Sequence, residues 1–596
     1  MDNQRNLILA IVLSIVLLFG FDFVMGRLYP QPEPVEPGTT AEAPAIDAVP
    51  ADPTLPPATR TREGGLTDES EIAAEQESLA LDLASDARVR IEAPAITGSI
   101  NPVGARIDDL TLNRHMQTIE DDSGPVRLFS PDGTPAQHFA QFGWVGEGVR
   151  LPDARTVWQA SGGSLSPENP VTLSWDNGEG QAFAIRLSVD DNYMITAEQA
   201  VTNNGTGAVV VQPYGFINRT SRTASTDTWN VHSGPIGAFD ASVDFGNDYD
   251  DVAESGTISP EGRPDWIGFT DIYWMSTLMP ESGTRPEGTF RTLGEEHFRS
   301  DLVYQPVTVA PGATQSRTTR LFAGAKESDV LDLYEREGIT NFSLAIDWGW
   351  FRWFEKPILW LLNQLYGLAG NFGLAIILLT VIVRGLMFPL AQKQFASMAA
   401  MRAIQPKMKA LQERYKDDKP KQQQEIMELY KREKVNPLSG CLPIFLQIPI
   451  FFALYKVLML AIEMRHKPFV LWVQDLSVPD PLHILNLFGL LPFDVPGFLA
   501  IGPLALLLGL TMFLQFKLNP ATMDPIQQQM FMIMPWVLMF VMAPFAAGLL
   551  LYWNTSNILT IAQQTYLYSR HPQLKAQAEK DKAERTQKSE RDKAKE

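Results

Sequence analysis

The chain has almost no cysteine and, in its first half, almost no lysine. Cys441 is the only cysteine among 596 residues, which excludes an intramolecular disulfide and any metal site built from several thiolates. Between residues 31 and 340 the only lysine is Lys326, and 48 Asp and Glu outnumber 20 Lys and Arg, a net charge of −28 (20 − 48). The whole chain carries −20, so the remainder sums to +8 (−20 + 28). Such an asymmetry is typical of a membrane protein that obeys the positive-inside rule.

Motifs of common catalysts and nucleotide sites are also missing. The sequence contains no phosphate-binding loop, no nucleophile elbow and no HExxH zinc pattern. The histidines of the acidic part lack the spacing of metal ligands: His115, His138, His232 and His297. We therefore expect a protein that is not an enzyme and that has no catalytic residues, no cofactor and no metal.

The most membrane-like stretch contains one full charge. Residues 373–392 are apolar over a span-forming length, yet Arg384 lies inside them, at a cost of about 2.5–3.5 kcal/mol on insertion scales. Thr380 lies one helical turn earlier on the same face. Two interpretations follow. Either Arg384 snorkels toward headgroups near Gln392, about 12 Å away, or it faces a wet cavity inside a helical bundle.

Two segments precede the first folded domain. The apolar run from Leu7 to Met25 is consistent with a signal peptide or with an uncleaved anchor. Its length and the lack of a small-x-small cleavage site favour an N-terminal transmembrane anchor over 1–25. Nine prolines fall between Pro30 and Pro57, among many acids. Such a composition buries little apolar surface, so we predict a disordered Pro-rich linker over 26–84.

From about residue 85 the hydrophobic period changes to two. Short alternating segments such as Val171–Trp175 and Phe183–Val189 are typical of strands. Asn204-Gly205 predicts a hairpin turn between the strands on either side of it. We predict an all-β sandwich over 85–325.

Apolar and Trp residues then recur at helical spacing over 340–356. This pattern predicts an amphipathic helix that lies in the headgroup layer. An ordinary helix of the sandwich is the alternative, but the apolar run that follows Pro357 argues against it.

The second half contains apolar segments for five further spans. We predict TM2 at 357–390, TM3 at 441–463, TM4 at 498–517, and TM5 with TM6 at 529–568, broken near 543–548. Residues 464–497 form the loop between TM3 and TM4. With the N-terminal anchor the total is six, which places both termini on one side.

Charges orient these spans. The loop 391–440 carries 11 basic and 6 acidic residues, and the tail 569–596 carries 9 basic and 6 acidic residues. Both lie on the predicted inner side, and the acidic domain lies outside.

The inner loop 391–440 has a pattern of its own. Met398, Met401, Met408 and Tyr415 belong to an apolar series at intervals of three or four residues. The series predicts a helical hairpin with a methionine-bearing edge. That edge serves either simple helix packing or, because methionine adapts its shape, the binding of varied apolar clients.

Spaced motifs in this half resemble those of the YidC/Oxa/Alb family of membrane insertases. In order they are Arg384-Gly385 with Phe388-Pro389-Leu390, Met401-Arg402 with Gln405-Pro406-Lys407, Lys434 to Pro443, Gln447 to Phe451, Asp480-Pro481, Asp524-Pro525, and Leu551-Tyr552 with Ser556-Asn557. Trp266 to Trp274 is similar to a signature of the large periplasmic domain in the Gram-negative form. The resemblance covers 340–570 and, more loosely, 85–325.

The resemblance implies the fold and the location. It implies an α-helical polytopic membrane protein, with six TM helices and a five-helix insertase core, plus an all-β sandwich periplasmic domain. The chain would lie in a Gram-negative inner membrane, with both termini in the cytoplasm and the linker 26–84 in the periplasm.

The family also implies a hydrophilic groove that receives client segments. The expected groove residues are Arg384, Thr380, Tyr552, Trp553, Gln447, Gln515 and Asn554. Trp553 stands where the family often has Tyr, and Lys456 is a further departure from the family pattern. Gln447, Gln515 and Asn554 are equally consistent with hydrogen bonds between helices.

Partners follow from the same resemblance. They are nascent membrane proteins that are short or acidic-tailed, the Sec translocon, the lipid bilayer, and the ribosome through the basic tail 569–596. The expected client or partner residues of the hairpin are Met398, Met401, Arg402, Met408 and Tyr415. The tail can bind ribosomal RNA through phosphate contacts, although its six acids equally fit a solvated end.

Two other functions remain open on the residues alone. A transporter or channel would account for the intramembrane Arg384, and solute flux through the purified protein would identify it. A binding protein anchored by its helices would work through residues 85–325, and deleting them would abolish its activity. No internal repeat supports the first, and a simple anchor does not require Arg384.

Overall fold

The computed structural model describes residues 60–570, except for 121, 227–230, 295, 350–351, 417, 434–441, 492–494, 496–498 and 519–524. Within 395–409, 442–446, 525–531 and 568–570 most positions have a described backbone only. The predicted anchor 1–25, the linker as far as residue 59 and the tail from residue 571 lie outside the described residues.

The strands fall between residues 89 and 325. In chain order they are β1 (Val89–Glu92), β2 (Ile96–Asn101), β3 (Arg106–Met116), β4 (Pro125–Phe129), β5 (His138–Gly146), β6 (Gln159–Ser161), β7 (Val171–Asp176), β8 (Gln181–Val189), β9 (Met194–Asn203), β10 (Val209–Thr220), β11 (Gly234–Phe239), β12 (Ser242–Asp244), β13 (Thr257–Ile258), β14 (Pro264–Thr270), β15 (Trp274–Pro280), β16 (Glu287–Thr292), β17 (His297–Val303), β18 (Val307–Val309) and β19 (Thr314–Ala325).

Helices flank the strands and make up the second half. They are α1 (Glu69–Asp82), α2 (Tyr249–Ser255), α3 (Ser328–Arg336), α4 (Arg352–Ala369), α5 (Phe372–Arg414), α6 (Lys419–Arg432), α7 (Leu442–Leu460), α8 (Pro503–Leu518), α9 (Pro525–Met542) and α10 (Ala547–Arg570). Short 3-10 turns lie at Ser221–Thr223, Phe342–Ala345 and Ile462–Met464.

The strands form two antiparallel sheets packed face to face. One has the order β1-β2-β3-β5-β10-β17-β16-β13, with β4 beside β3 and β18 beside β10. The other has the order β12-β11-β14-β15-β19-β9-β8-β7-β6. Phe183, Ile185 and Leu187 alternate into the core of the sandwich, as their spacing of two predicts. The predicted all-β sandwich is confirmed.

The predicted hairpin at Asn204-Gly205 is wrong. Strand β9 pairs with β8 and β19 in one sheet, whereas β10 pairs with β5 and β17 in the other. Neither Asn204 nor Gly205 has the positive φ that a type I′ turn requires. The side chain of Asn203 donates instead to the carbonyls of Gly207 and Val309, which fixes a crossing between the sheets.

The prediction of disorder fails at the end of the linker, where α1 forms. Asp68 caps this helix by accepting from the backbone N–H groups of Ser70 and Glu71. Glu71 is paired with Arg222 of the sandwich, and Glu75 accepts from the backbone N–H of Ala136. The prolines all precede residue 58. A composition averaged over 26–84 therefore hides a capped helix with specific partners.

The predicted boundary between the amphipathic helix and TM2 is also displaced. The helix over 340–356 and the span from 357 are replaced by a 3-10 turn, by α4 and by a separate helix α5. The chain breaks at Gly370, whose φ is +68°, and α5 begins after Asn371, which accepts from the N–H of Leu374. Because both helices are apolar, hydropathy alone does not reveal that α4 ends and that α5 begins here.

Helix α5 runs far beyond the length of a membrane span. Its 43 residues extend about 65 Å, roughly twice the thickness of a hydrocarbon core. It packs against α4, α7 and α10, and its far end packs against α6 to form the hairpin. Among the described residues one helix, at Phe372–Gln394, is long and apolar enough to cross a membrane. Shorter apolar stretches occupy Gln447–Leu460, Pro503–Leu518 and Met532–Met542.

Two arginines join the sandwich to the helices. Arg62 donates to the hydroxyl of Tyr273 at 3.1 Å, to the carbonyl of Met459 at 3.1 Å and to the carbonyl of Ser477. Arg465 follows α7, and its guanidinium lies 5.2 Å from the ring centroid of Trp274. We call these contacts the junction. They give the motif that ends in Tyr273-Trp274 a structural role.

Further bonds of Arg465 reach the sandwich and the ordered end of the linker. It donates to the carbonyl of Met116 at 2.7 Å and to that of Gln117 at 2.9 Å. It also forms an ion pair with Glu63 at 2.7 Å. Arg465 is buried, so every one of its partners is needed to offset the desolvation of its charge.

Lys326 lies nearby, at the end of β19. Its ammonium group donates to the hydroxyl of Thr270 at 2.9 Å and to the carbonyl of Ala345 at 3.4 Å. Burial lowers the pKa of Lys326 to about 8, although Asp271 and Asp347 act in the opposite direction. The one lysine of the acidic part is thus a structural group.

We expect Arg465→Ala to loosen the junction. Removing one partner of a buried, hydrogen-bonded pair costs about 3 kcal/mol. Amides near Met116 and Gln117 should therefore exchange hydrogen faster in the full-length protein, as measured by mass spectrometry. Arg186→Ala is the matched control, because the 4.0 Å pair of Arg186 with Glu198 is exposed. Equal exchange in the two variants would contradict this role of Arg465.

Candidate functional site

The polar side chains of the helical region collect where α5, α7 and α10 meet. Thr380 and Arg384 lie one turn apart on α5, and Tyr552 and Ser556 lie one turn apart on α10. Gln447 projects from α7, and both α5 and α7 pack against α10. Helical spacing on three apolar helices thus produces one polar cluster, which we call the polar cleft.

Arg384 is held by a neutral group. Its Nε donates to Oγ of Ser556 at 3.1 Å, and its Nη2 donates to the same oxygen. Ser556 is buried, whereas Arg384 is only partly so. In the part of the chain that the structure describes, Arg384 forms no ion pair with a carboxylate. Its positive charge is therefore hydrogen-bonded but not neutralised.

Tyr552 and Gln447 form the next contact in the polar cleft. Gln447 Nε2 donates to the phenolic oxygen of Tyr552, which is 2% exposed. The half-buried ring of Trp553 packs edge to face on Phe451, with the centroids 5.1 Å apart. The structure thus places Arg384, Tyr552 and Gln447 in the polar cleft, with Trp553 next to Tyr552 on α10, and their role as groove residues stays a prediction.

Thr380 is positioned differently from the expectation. Its side chain is fully buried, and its hydroxyl donates to the carbonyl of Ile376 one turn earlier at 2.6 Å. Such a bond satisfies the hydroxyl within its own helix. In this conformation Thr380 supports the helix wall and offers no polar group to a ligand.

Asn554 belongs to a second group of polar contacts, which lies between α8 and α10. Its Nδ2 donates to the carbonyl of Leu504 at 2.9 Å, and its Oδ1 lies 3.3 Å from the hydroxyl of Thr511. That hydroxyl also accepts from Asn557 Nδ2 at 3.1 Å. Asn554 therefore takes the alternative role, a hydrogen bond between helices. Gln515 is half-buried on α8, and its Oε1 has no described hydrogen-bond partner.

Three polar residues were not among the expected groove residues: Thr511, and Ser556 and Asn557, which the sequence analysis names only as part of a family motif. A signal existed for Ser556, because it lies four residues after Tyr552 and hence on the same face of α10. No such signal existed for Thr511, since its partners come from another helix. A helix spacing rule finds neighbours within one helix only.

In the hairpin of α5 and α6 the methionines have two roles. Met408 is buried beside Ile404, and its sulfur lies 3.2 Å from the hydroxyl of Tyr430. Met427 on α6 is 58% exposed. Simple packing thus accounts for Met408, while Met427 supplies exposed apolar surface.

Tyr415 is the next of the expected hairpin residues. Tyr415 ends α5, where Lys421 lies 5.5 Å from its ring centroid. The side chains of Met398, Met401 and Arg402 lie outside the described residues.

One group of side chains has the geometry of a metal site. Ligand atoms of Glu63, His466 and Asp475 lie within 4.8 Å of one another. Each carboxylate, however, already has partners within the protein. Glu63 is paired with Arg465, and Asp475 accepts from the backbone N–H of His466 and from Ser477. These contacts account for the positions of both carboxylates.

Comparisons with known proteins cover nearly the whole chain. The family model described as 60Kd inner membrane protein matches residues 364–575, and the model described as YidC periplasmic domain matches residues 88–361. A membrane protein insertase YidC from Zymomonas mobilis is 42% identical over 98% of this chain and 98% of its own. One from Beijerinckia indica is 42% identical over 96% of each chain.

A solved structure is also similar. A crystal structure of an active YidC insertase with its first transmembrane domain resolved is 17% identical over 83% of this chain and 98% of its own, with a TM-score of 0.35. None of the relatives' names describes an enzyme.

We expect Thr511→Val to weaken the contact between α8 and α10. Losing the hydroxyl leaves amide groups of Asn554 and Asn557 without that partner, at a cost of about 1 kcal/mol, the scale of interhelical hydrogen bonds in membranes. The measurement is the thermal unfolding temperature in detergent. Thr565→Val is the control, because the exposed Thr565 bonds only within its own helix. An equal loss in both variants would show that the contact adds nothing.

Proposed function

We propose, from the premise that this chain belongs to the YidC family, that it is a membrane protein insertase and chaperone of an inner membrane. The names of its relatives and the polar cleft between apolar helices support this proposal. The observation that carries it is the charge of Arg384, which in the described structure has a hydroxyl partner and no carboxylate.

The proposed topology has six spans. They are the anchor 1–25, the span that contains Phe372–Gln394, and the segments around α7, α8, α9 and α10. Charge supports the orientation, since the loop 391–440 has a net charge of +5 (11 − 6) and residues 31–340 have −28. Both termini and the hairpin then lie in the cytoplasm, and the sandwich lies in the periplasm.

The polar cleft would work as a wet half-channel. A client's apolar segment must carry its polar flank across hydrocarbon, where each unsatisfied backbone group costs several kcal/mol. Water around Arg384, Gln447 and Tyr552 would let that flank travel part of the way hydrated. The stretch of low dielectric, which makes the largest contribution to the barrier, becomes shorter.

Arg384 would draw an acidic tail into the polar cleft. A carboxylate of the client can pair with the guanidinium, because the resident partner Ser556 is neutral. The membrane potential then favours outward movement of the negative tail by about 2.3 kcal/mol per charge per 100 mV. The client leaves sideways into lipid, driven by burial of its apolar helix.

Partners follow from this proposal. The clients would be nascent membrane proteins that are short or acidic-tailed, and the polar cleft would act on them alone or together with the Sec translocon. The exposed Met427 supports a hairpin surface that accepts varied apolar segments. The basic tail 569–596 would contact the ribosome.

We expect photocrosslinking to place clients in the polar cleft. A benzophenone amino acid at position 553, with position 447 as a second probe, should form adducts with the apolar segment of an acidic-tailed client during its synthesis. Position 537 is the control, because Val537 on α9 is exposed. Absence of adducts at 553 and 447, with insertion still dependent on the protein, would move the client site elsewhere.

A further inference from the structure

The loop between α7 and α8 presents large apolar side chains outward from two tight turns. The first turn contains Leu471, which is 84% exposed, and the second contains Leu490, which is 80% exposed. At least half of the side chain of Leu487 and of Phe488 is exposed as well. We call these four residues the loop tips. Exposed apolar residues grouped within one turn, as Leu487, Phe488 and Leu490 are, are typical of an interaction site.

The second turn is a folded structure. Asn486 accepts from the N–H of Gly489 through both its side chain and its carbonyl, and from the N–H of Leu491 through its carbonyl. Leu487 and Phe488 have φ values of +50° and +62°, which large L side chains rarely adopt. The backbone bonds hold this strained turn, so the outward direction of both side chains is built in.

Both turns are fastened to the ends of membrane helices. Asn371, which caps α5, donates to the carbonyl of Phe469 at 2.9 Å, and a Cβ at Gly373 would overlap the ring of Phe469. In the second turn the N–H of Ile484 donates to the carbonyl of Ile501, two residues before α8. The loop tips therefore lie at the level where α5 and α8 begin.

Charge is absent where the loop tips are. Neither 468–473 nor 481–491 contains Asp, Glu, Lys or Arg. Asp480, at the base of the second turn, is directed inward, accepting from the N–H of Leu504 at 3.0 Å and from the indole of Trp472 at 3.0 Å. A surface without charge that continues from span-forming helices matches the acyl chains of a lipid, not water or a charged partner.

We propose that the loop tips are a lipid-binding surface that inserts into the outer leaflet beside α5 and α8. Leu471 and the group of Leu487, Phe488 and Leu490 would enter the boundary between headgroups and acyl chains. They would fix the depth of the outward end of α5, the helix that carries Arg384. The proposal rests on the proposed span and orientation of these helices, but not on insertase activity.

Spin-label accessibility tests this surface. Single cysteines at 471 and 490, in the full chain with Cys441→Ser, are labelled in vesicles of phosphatidylethanolamine and phosphatidylglycerol. Both positions are exposed, so the label should not disturb the fold. We expect collisions with oxygen, which partitions into lipid, to exceed collisions with a water-soluble nickel chelate at both positions. The reverse is expected at the control Thr314, exposed on β19 of the sandwich.

Two results would overturn the proposal. Nickel access at 471 and 490 equal to that at 314 would place the loop tips in water. Low access to both reagents would show that protein covers them. Client insertion in the same vesicles is measured separately. If insertion is lost while oxygen still reaches positions 471 and 490, the proposed insertase function is contradicted and the lipid contact is retained.

Discussion

The polar cleft is organised around one partly buried charge, that of Arg384, which no carboxylate among the described residues neutralises. Arg384 lies on an apolar helix and is hydrogen-bonded to a serine hydroxyl, which satisfies donors but leaves the charge in place. A carboxylate in place of the Ser556 hydroxyl would neutralise the guanidinium and remove its long-range attraction for other negative groups. A purely apolar neighbour would leave the donors unpaired at high cost. The hydroxyl lies between these extremes, because it accepts from the guanidinium and adds no negative charge.

The surrounding contacts keep that site in place. Arg62 and Arg465 tie the sandwich to α7 and to the loop that follows it, while Thr511 ties α8 to α10. Each contact consists of partly or fully buried polar groups with specific partners, which select one arrangement more strongly than apolar packing does. The junction also includes Glu63, which follows the predicted linker's proline-rich part and pairs with Arg465.

Much of this architecture could be predicted because hydropathy and charge act over many residues. Alternating strands such as 183–189 and the polar face of Arg384 are periodic features. The predictions failed where a single side chain determines the course of the backbone. Asn203 turns a predicted hairpin into a sheet crossing, and Asn371 divides one apolar run into two helices. The partnership of Ser556 with Arg384 spans 172 residues and became visible only once the helices were packed.

The central claim is that Arg384 acts on the client through charge, and a mutant cycle tests it most directly. Insertion rates are measured for the wild-type protein, Arg384→Lys and Arg384→Ala, each with an acidic-tailed client and with the same client whose tail acids are amides. We expect Arg384→Ala to slow the acidic client about tenfold, the effect of roughly 1.4 kcal/mol, with little effect on the neutral client and with Arg384→Lys near wild type. Equal slowing of both clients would show that Arg384 supports the fold of the polar cleft and exerts no electrostatic attraction.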